Sequence, residues 1–153
     1  MNISLIRDIR VQKNIQMKHE EITEQIIKAF FKVYNTLGYG FLEKVYLNAL
    51  VIELRKMGFK ADKEKRVIVY YEGQIVGDYN ADLTIDEVVI CELKTNETLS
   101  VGDENQLINY LKATEIEVGL LLNFGKKPEV RRKIYDNDKK IWLTTRTRLI
   151  DEV

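Results

Sequence analysis

The stretch "VVICELKTNE" at residues 88–97 decides the fold, because it joins a buried strand to two charged side chains. Four apolar residues at 88–91 are typical of a strand in a protein interior. Glu92 and Lys94 then stand where such a strand would continue with apolar side chains. Because strand side chains alternate, both charges share one face with Ile90. A closed core does not tolerate unpartnered charges, so the sequence predicts that this face opens into a cleft.

The preceding strand contributes a second carboxylate, Asp82, through a turn at residues 86–87. A two-residue turn would pair position 82 with position 91 and would put Asp82 on the wrong face. A turn one residue longer, or a bulge, would put Asp82 beside Glu92, and we predict the longer turn. Two adjacent carboxylates make an oxygen-ligand site for a divalent cation. Lys94 beside them would orient or deprotonate a water, or steady the charge of a phosphate under attack.

The remaining patterns predict an α/β fold with a mixed sheet flanked by helices, in the order ααβββαβ. Helices are predicted over residues 20–37, 42–57 and 104–113, and strands over 66–71, 75–85, 88–94 and 118–124, with a last short strand near 141–145. Residues 1–18 are predicted to form a loose N-terminal arm, and residues 19–153 a single domain. The basic stretch at 126–133 is interpreted as a solvated surface, with local phosphate contacts as the alternative.

Composition excludes several classes of protein. The chain has 153 residues, 45% hydrophobic and 31% charged, which is ordinary for a soluble globular domain. Because 24 basic residues balance 24 acidic ones, a polyanion would have to be held by a local patch or by metal ions. The single cysteine, Cys91, is interpreted as a small buried hydrophobe and cannot form an internal disulfide. With no apolar run near ~20 residues and no secretory signal, the sequence predicts a cytoplasmic protein without a membrane span.

Four motifs in order carry a family resemblance. They are "GFLEKVY" at 40–46 (G-x-x-E-x-x-Y), Asp82 with Glu92-Leu93-Lys94, "QLINY" at 106–110 (Q-x-x-x-Y) and "LLNFG" at 121–125. With these motifs the chain, from about residue 22 to 134, resembles the GxxExxY protein family of the PD-(D/E)XK nuclease superfamily, in its RecB-like Q-x-x-x-Y branch. The sequence departs from the family pattern at Asn80, Ala81, Tyr34 and Asp103, where Arg, Pro, His and His are frequent.

The resemblance implies a restriction-endonuclease-like core and metal-dependent cleavage of DNA or RNA. It implies that Asp82, Glu92 and the Leu93 backbone carbonyl are metal ligands, with Glu43 as an additional acid that completes the metal site. It implies that Lys94 handles the attacking water. Gln106 and Tyr110 would either support the groups that bind the metal or contact a phosphate. Tyr46 is expected to pack and to hydrogen-bond Glu43. Hard oxygen ligands favour Mg²⁺ or Mn²⁺.

Structural alternatives accompany these interpretations. Glu43 would also suit a helix N-terminus through the macrodipole, and Glu92 with Lys94 would also form a surface ion pair on an edge strand. Gln106 and Tyr110 fit an exposed amide and an interface aromatic equally well. The alternative function is a catalytically inactive nuclease-fold module that binds nucleic acid or protein. The enzyme is favoured because the acidic residues and the lysine are all present. A homodimer is a further alternative to a monomer.

Overall fold

A computed structural model describes the backbone of residues 3–143 and the side chains of residues 19–143. Its elements are α1 (Ile3–Leu37), α2 (Glu43–Lys56), β1 (Ala61–Tyr71), β2 (Gln74–Ile85), β3 (Val89–Lys94), α3 (Val101–Ala113), β4 (Val118–Phe124), β5 (Pro128–Ile134) and a 3-10 turn at Asn137–Lys139. The predicted α/β class and the order of the first seven elements are confirmed. No helix within residues 3–143 is long and apolar enough to cross a membrane.

The five strands form one mixed sheet in the order β1-β2-β3-β4-β5. β3 and β4 are parallel and are joined through α3, whereas the other neighbouring pairs are antiparallel. β3 therefore lies at the centre of the sheet. This position removes the alternative in which Glu92 and Lys94 form an ion pair on an edge strand.

The two faces of β3 pack against different helices. Cys91 and Leu93 belong to the core beneath α1 and α2, and both are fully buried. Ile90 belongs to the smaller core beneath α3. The alternation that the sequence predicts is confirmed, and so is the interpretation of Cys91 as a buried hydrophobe. Loss of hydration raises the pKa of its thiol further, which keeps the side chain neutral and inert.

The turn between β2 and β3 is the longer one that the sequence predicts. Leu83 pairs with Cys91 and Ile85 with Val89, and the amide of Val88 donates to the carbonyl of Ile85 over 3.0 Å. Three residues, 86–88, therefore lie between the paired positions. The same register continued by one step places Asp82 opposite Glu92.

Several element bounds differ from the predicted ones for local reasons. α3 begins at Val101 because Ser100 and Asp103 form a capping box, in which each side chain accepts from the other residue's amide. The last strand is Pro128–Ile134, and the strand predicted near 141–145 is wrong because residues 141–143 are helical. Positions 144 and 145 of that strand, and residues 144–153 of the predicted domain, lie outside the described residues.

The N-terminal end of the fold also differs from its predicted bounds. α1 begins at Ile3 and therefore runs through most of the predicted arm. Residues 1 and 2 of that arm lie outside the described part of the chain. The flexibility of the arm stays a prediction.

Gly125, in the turn between β4 and β5, is expected to be highly sensitive to substitution. A Cβ atom at this position would overlap the carbonyl oxygen of Asn96, a backbone atom that cannot move aside. We expect Gly125→Ala to reduce the free energy of unfolding in urea by ~1–3 kcal/mol. The matched control is Gly102→Ala in α3. Its Cβ would first meet the Ser100 hydroxyl at 3.5 Å, and the higher helix propensity of alanine would raise the free energy of unfolding by up to ~1 kcal/mol. Equal midpoints for the two variants would contradict this packing.

Candidate active site

Asp82 and Glu92 face each other at the point where β2 and β3 stop pairing. The amide of Asp82 donates to Oε1 of Glu92 over 2.9 Å, and the amide of Leu93 donates to Oδ2 of Asp82 over 2.8 Å. Each carboxylate thus accepts from the backbone of the opposite strand, where a ladder bond would otherwise continue. These crossed hydrogen bonds hold both acidic groups in place, since each is fixed by the sheet itself.

Asp82 and Glu92, the acidic pair, lie in surroundings that disfavour two negative charges. Glu92 is only 3% exposed, and the negative charge of Asp82 acts on its carboxyl. Burial first, and the charge of Asp82 second, raise the pKa of Glu92 to about 8, although Lys94 opposes the shift. Two adjacent carboxyl groups in such a setting either share a proton or hold a cation.

Lys94 lies on the same strand face and is held by α3. Its ammonium donates to Oε1 of Gln106 over 3.0 Å and lies 3.9 Å from a carboxylate oxygen of Asp103. The amide nitrogen of Gln106 donates in turn to the hydroxyl of Tyr110 over 3.3 Å. Burial, followed by the charge of Glu92, raises the pKa of Tyr110, so this phenol lies near the acidic pair. The Q-x-x-x-Y residues therefore belong to the surroundings of Lys94.

Glu43 is the first residue of α2 and approaches the acidic pair without joining it. Its pKa is raised by partial burial first and by the charge of Asp82 second, while Lys94 lowers it. Within residues 19–143, however, no three Asp, Glu, His or Cys side chains are close enough together to form a complete ligand group for a metal. The structure thus brings two of the three predicted acids together, with the third within electrostatic reach.

Tyr46 is a buried packing residue, as expected, but its hydrogen bonds differ from the predicted one. Its hydroxyl donates to the carbonyl of Gly38 over 2.6 Å and accepts from the amide of Phe41 over 3.2 Å. Its ring stacks on Phe124 at 4.4 Å. The predicted bond to Glu43 is therefore wrong, because the hydroxyl reaches the loop before α2. Tyr46 fixes the segment from which Glu43 emerges.

A buried amide that the sequence analysis did not single out anchors the loop after Lys94. Asn123 is fully buried, accepts from the amide of Asn96 over 3.0 Å and donates to its carbonyl over 2.8 Å. In the parallel ladder Asn123 also pairs with Lys94. Its signal in the sequence is an amide inside the apolar run "VGLLLNF" at 118–124. These two hydrogen bonds fix the direction of the chain immediately after Lys94.

The basic residues at 131–133 pair with neighbouring acids. Arg131 lies 2.9 Å from Glu104 and 2.8 Å from Glu129, and Lys133 lies 3.2 Å from Glu104. Arg132 lies 3.6 Å from Glu20. Residues 131–133 are half-buried on the edge strand β5, so they are less solvated than the sequence interpretation has it. Lys126 and Lys127 are exposed, in agreement with that interpretation.

Two of the residues that depart from the family pattern have structural roles. The hydroxyl of Tyr34 donates to the carbonyls of Gly125 and Lys126, at 2.9 and 2.8 Å. Asp103 caps α3 and lies near Lys94. Both therefore support elements that border the site.

Comparison with protein families identifies the superfamily of this chain. Residues 20–133, more than half of the chain, match the family described as the PD-(D/E)XK nuclease superfamily. The chain belongs to the PD-(D/E)XK nuclease superfamily. Its five-stranded mixed sheet and flanking helices agree with the restriction-endonuclease-like fold of that superfamily.

Two other comparisons accompany this family match. Comparison with curated proteins gives no match. A solved structure titled "Crystal structure of SSO0001" is similar, with 17% identity and a TM-score of 0.49 over 71% of this chain and 58% of that one. The chain thus spans less than two thirds of that protein.

The donor set fits the divalent ions that PD-(D/E)XK nucleases generally use. Asp82 and Glu92 offer adjacent carboxylate oxygens, the ligand type that hard divalent cations prefer. A cation would take the place of the proton that the raised pKa of Glu92 favours. The observation that carries this fit is the pair of crossed hydrogen bonds, because it holds the two acids together before any ion binds.

Proposed function

We propose that the protein is a metal-dependent nuclease that hydrolyses phosphodiester bonds of DNA or RNA. The juxtaposition of Asp82 on β2 with Glu92 and Lys94 on β3 carries the proposal. Asp82 and Glu92 would hold a Mg²⁺ or Mn²⁺ ion, with the Leu93 carbonyl and Glu43 as further oxygen donors. When bound, such an ion polarises a phosphoryl oxygen and lowers the pKa of water.

The chain's own residues would orient the nucleophile and the phosphate. Lys94 lies beside Asp82 and Glu92. Its ammonium would align a water for attack or stabilise the negative charge that develops on the phosphate. Gln106 would act as a positioning residue, since its carbonyl oxygen accepts from Lys94. Tyr110 would support Gln106 from the next helical turn. Tyr46 would position Glu43 through the loop at 38–41.

The arrangement of these residues also supports a finer family assignment. We infer that the chain is a GxxExxY protein of the RecB-like branch. Gly40, Glu43 and Tyr46 stand at the spacing of the first motif, and Gln106 and Tyr110 at that of the second. The hydrogen bond from Lys94 to Gln106 supports a common role for the second motif and the strand motif.

A catalytically inactive binding module is the second candidate. One observation favours it: within residues 19–143, Glu43 does not close a three-acid group with Asp82 and Glu92. An active enzyme would then need Glu43 to move or a water to complete the ligand shell. Metal binding separates the two candidates, because a decayed site has no reason to retain it.

The proposal is tested by incubating purified protein with single- and double-stranded DNA and with RNA. Cleavage is expected in Mg²⁺ or Mn²⁺ and is expected to stop in EDTA, because the chemistry needs the cation. The product ends and the rate are measured on end-labelled substrates. Cleavage that persists in EDTA would contradict the metal requirement. Absence of both cleavage and metal binding would favour the inactive module.

A further inference from the structure

The β1–β2 hairpin leaves the sheet at the acidic pair and forms a groove with α3. β3 pairs with β2 only at residues 83–85, so the hairpin beyond Asp82 extends past the central strand. The groove between hairpin and helix has a volume of about 760 Å³. That volume lies within the ~300–1,000 Å³ of pockets that hold drug-sized ligands, which is the scale of one or two stacked bases.

Aromatic rings line the groove and connect it to the candidate active site. Tyr70 and Tyr79 both line it and are 61% and 50% exposed. The Tyr79 ring lies 6.0 Å from the ring of Tyr110, which is hydrogen-bonded to Gln106 beside Lys94. A continuous series of side chains therefore leads from the site lysine into the groove.

Gly77 makes room for the Tyr79 ring. A Cβ atom at Gly77 would come within 2.9 Å of that ring and 3.3 Å of the Val69 Cβ. The absence of a side chain at this position thus lets Tyr79 lie along the hairpin on the groove side. A substitution at Gly77 would displace the ring.

The polar groups of the groove suit a base and one phosphate better than a duplex backbone. Asn109 and Lys112 of α3 line it, and Lys112 lies 5.4 Å from the centre of the Tyr135 ring. The indole N–H of Trp142 donates to the Lys112 carbonyl over 2.6 Å, which holds this ring at the groove edge. One lysine among aromatic faces gives little attraction for a polyanion, but bases stack on aromatic faces whatever their sequence.

We propose that this groove holds unpaired nucleotides of a single-stranded nucleic acid beside the phosphodiester bond to be cut, with bases stacked on Tyr79 and Tyr70. The inference rests on the proposed nuclease function for the choice of occupant, because the groove is continuous with that site. It assigns a preference for single strands, or for single-stranded segments at a junction, over continuous duplex. Because bases stack on aromatic rings whatever their identity, the binding is tolerant of base sequence. Because Lys112 is the one basic residue that lines the groove, the groove itself adds little salt dependence.

The test measures binding by fluorescence anisotropy in EDTA, so that cleavage plays no part. The probes are labelled twelve-residue oligothymidylate, oligouridylate and a blunt duplex. We expect Tyr79→Ala and Tyr70→Ala each to weaken single-strand binding ~5- to ~100-fold, as loss of one stacked base does. Tyr79→Phe and Tyr70→Phe should stay within about twofold of the wild type, because phenylalanine keeps the ring. The matched control is Tyr71→Ala, a tyrosine of the same hairpin that is 67% exposed and does not line the groove.

Each outcome has a defined meaning. Unchanged affinity in well-folded alanine variants, or tighter binding of the duplex, would overturn the proposal. Dimer dissociation in Tyr70→Ala with unchanged oligonucleotide affinity would also overturn it and would assign the groove to a second copy. If the wild type cleaves nucleic acid but the tyrosine variants bind oligonucleotides as the wild type does, the proposed groove is contradicted and the proposed nuclease function is supported. If binding depends on the tyrosines but no metal-dependent cleavage occurs, the proposed groove is supported and the proposed nuclease function is contradicted.

Discussion

Lys94→Ala is expected to reduce metal-dependent cleavage by ~10²–10³-fold, as removal of one group that stabilises transition-state charge does in other enzymes. The metal should still bind, because Asp82 and Glu92 keep their mutual hydrogen bonds through the backbone. Folding should be affected little, since the ammonium is partly exposed and contacts chiefly Gln106. The rate is measured at saturating Mg²⁺, and metal affinity by calorimetry.

Two companion variants sharpen this expectation. Asp82→Ala should lose both cleavage and metal binding, because it removes a carboxylate of the acidic pair. Lys28→Ala, an exposed lysine of α1, should behave as the wild type. Full activity of Lys94→Ala would assign water activation to another group, and a loss of metal affinity equal to that of Asp82→Ala would make Lys94 a structural residue.

Glu92→Gln is expected to stabilise the metal-free protein at pH 8 while abolishing metal binding. The raised pKa of Glu92, about 8 against an ordinary value near 4.5, comes from burial and from Asp82. Between those two values the folded state holds a proton that the unfolded chain releases, so stability falls as the pH rises. A neutral glutamine avoids this cost and can still accept from the Asp82 amide.

The gain should be ~2–4 kcal/mol at pH 8, which corresponds to ~4–16 °C in the melting temperature. It should shrink towards pH 5, where Glu92 is protonated in the folded protein. Mn²⁺ should raise the melting temperature of the wild type and leave that of Glu92→Gln unchanged. Glu24→Gln, an exposed acid on α1, is the control for a simple change of charge. A variant that is less stable than the wild type at both pH values would contradict the burial of an uncompensated charge.

The central strand and its charges follow from the sequence because their signals are local. An apolar run of four residues with charges at alternate positions defines strand, face and cleft together. The turn at 86–88 follows as well, since only one register puts Asp82 beside Glu92. Local alternation also identifies Cys91 as buried.

The other site features depend on contacts between distant elements. The bond between Lys94 and Gln106 exists because α3 packs on one particular face of the sheet, and no local pattern encodes that distance. The hydroxyl of Tyr46 reaches Gly38 rather than Glu43 because the loop before α2 folds back over the ring. β5 is missed because its charges resemble a surface segment, although Glu104 of α3 neutralises two of them.

The most direct measurement is an anomalous difference map from crystals of the wild-type protein soaked in Mn²⁺ at a concentration that saturates it in solution. The map should show one strong peak between the carboxylates of Asp82 and Glu92, with metal–oxygen distances of ~2.0–2.3 Å and the Leu93 carbonyl as a further ligand. The same soak of Asp82→Ala should leave that position empty. A wild-type peak elsewhere, or none at the acidic pair, would contradict the account.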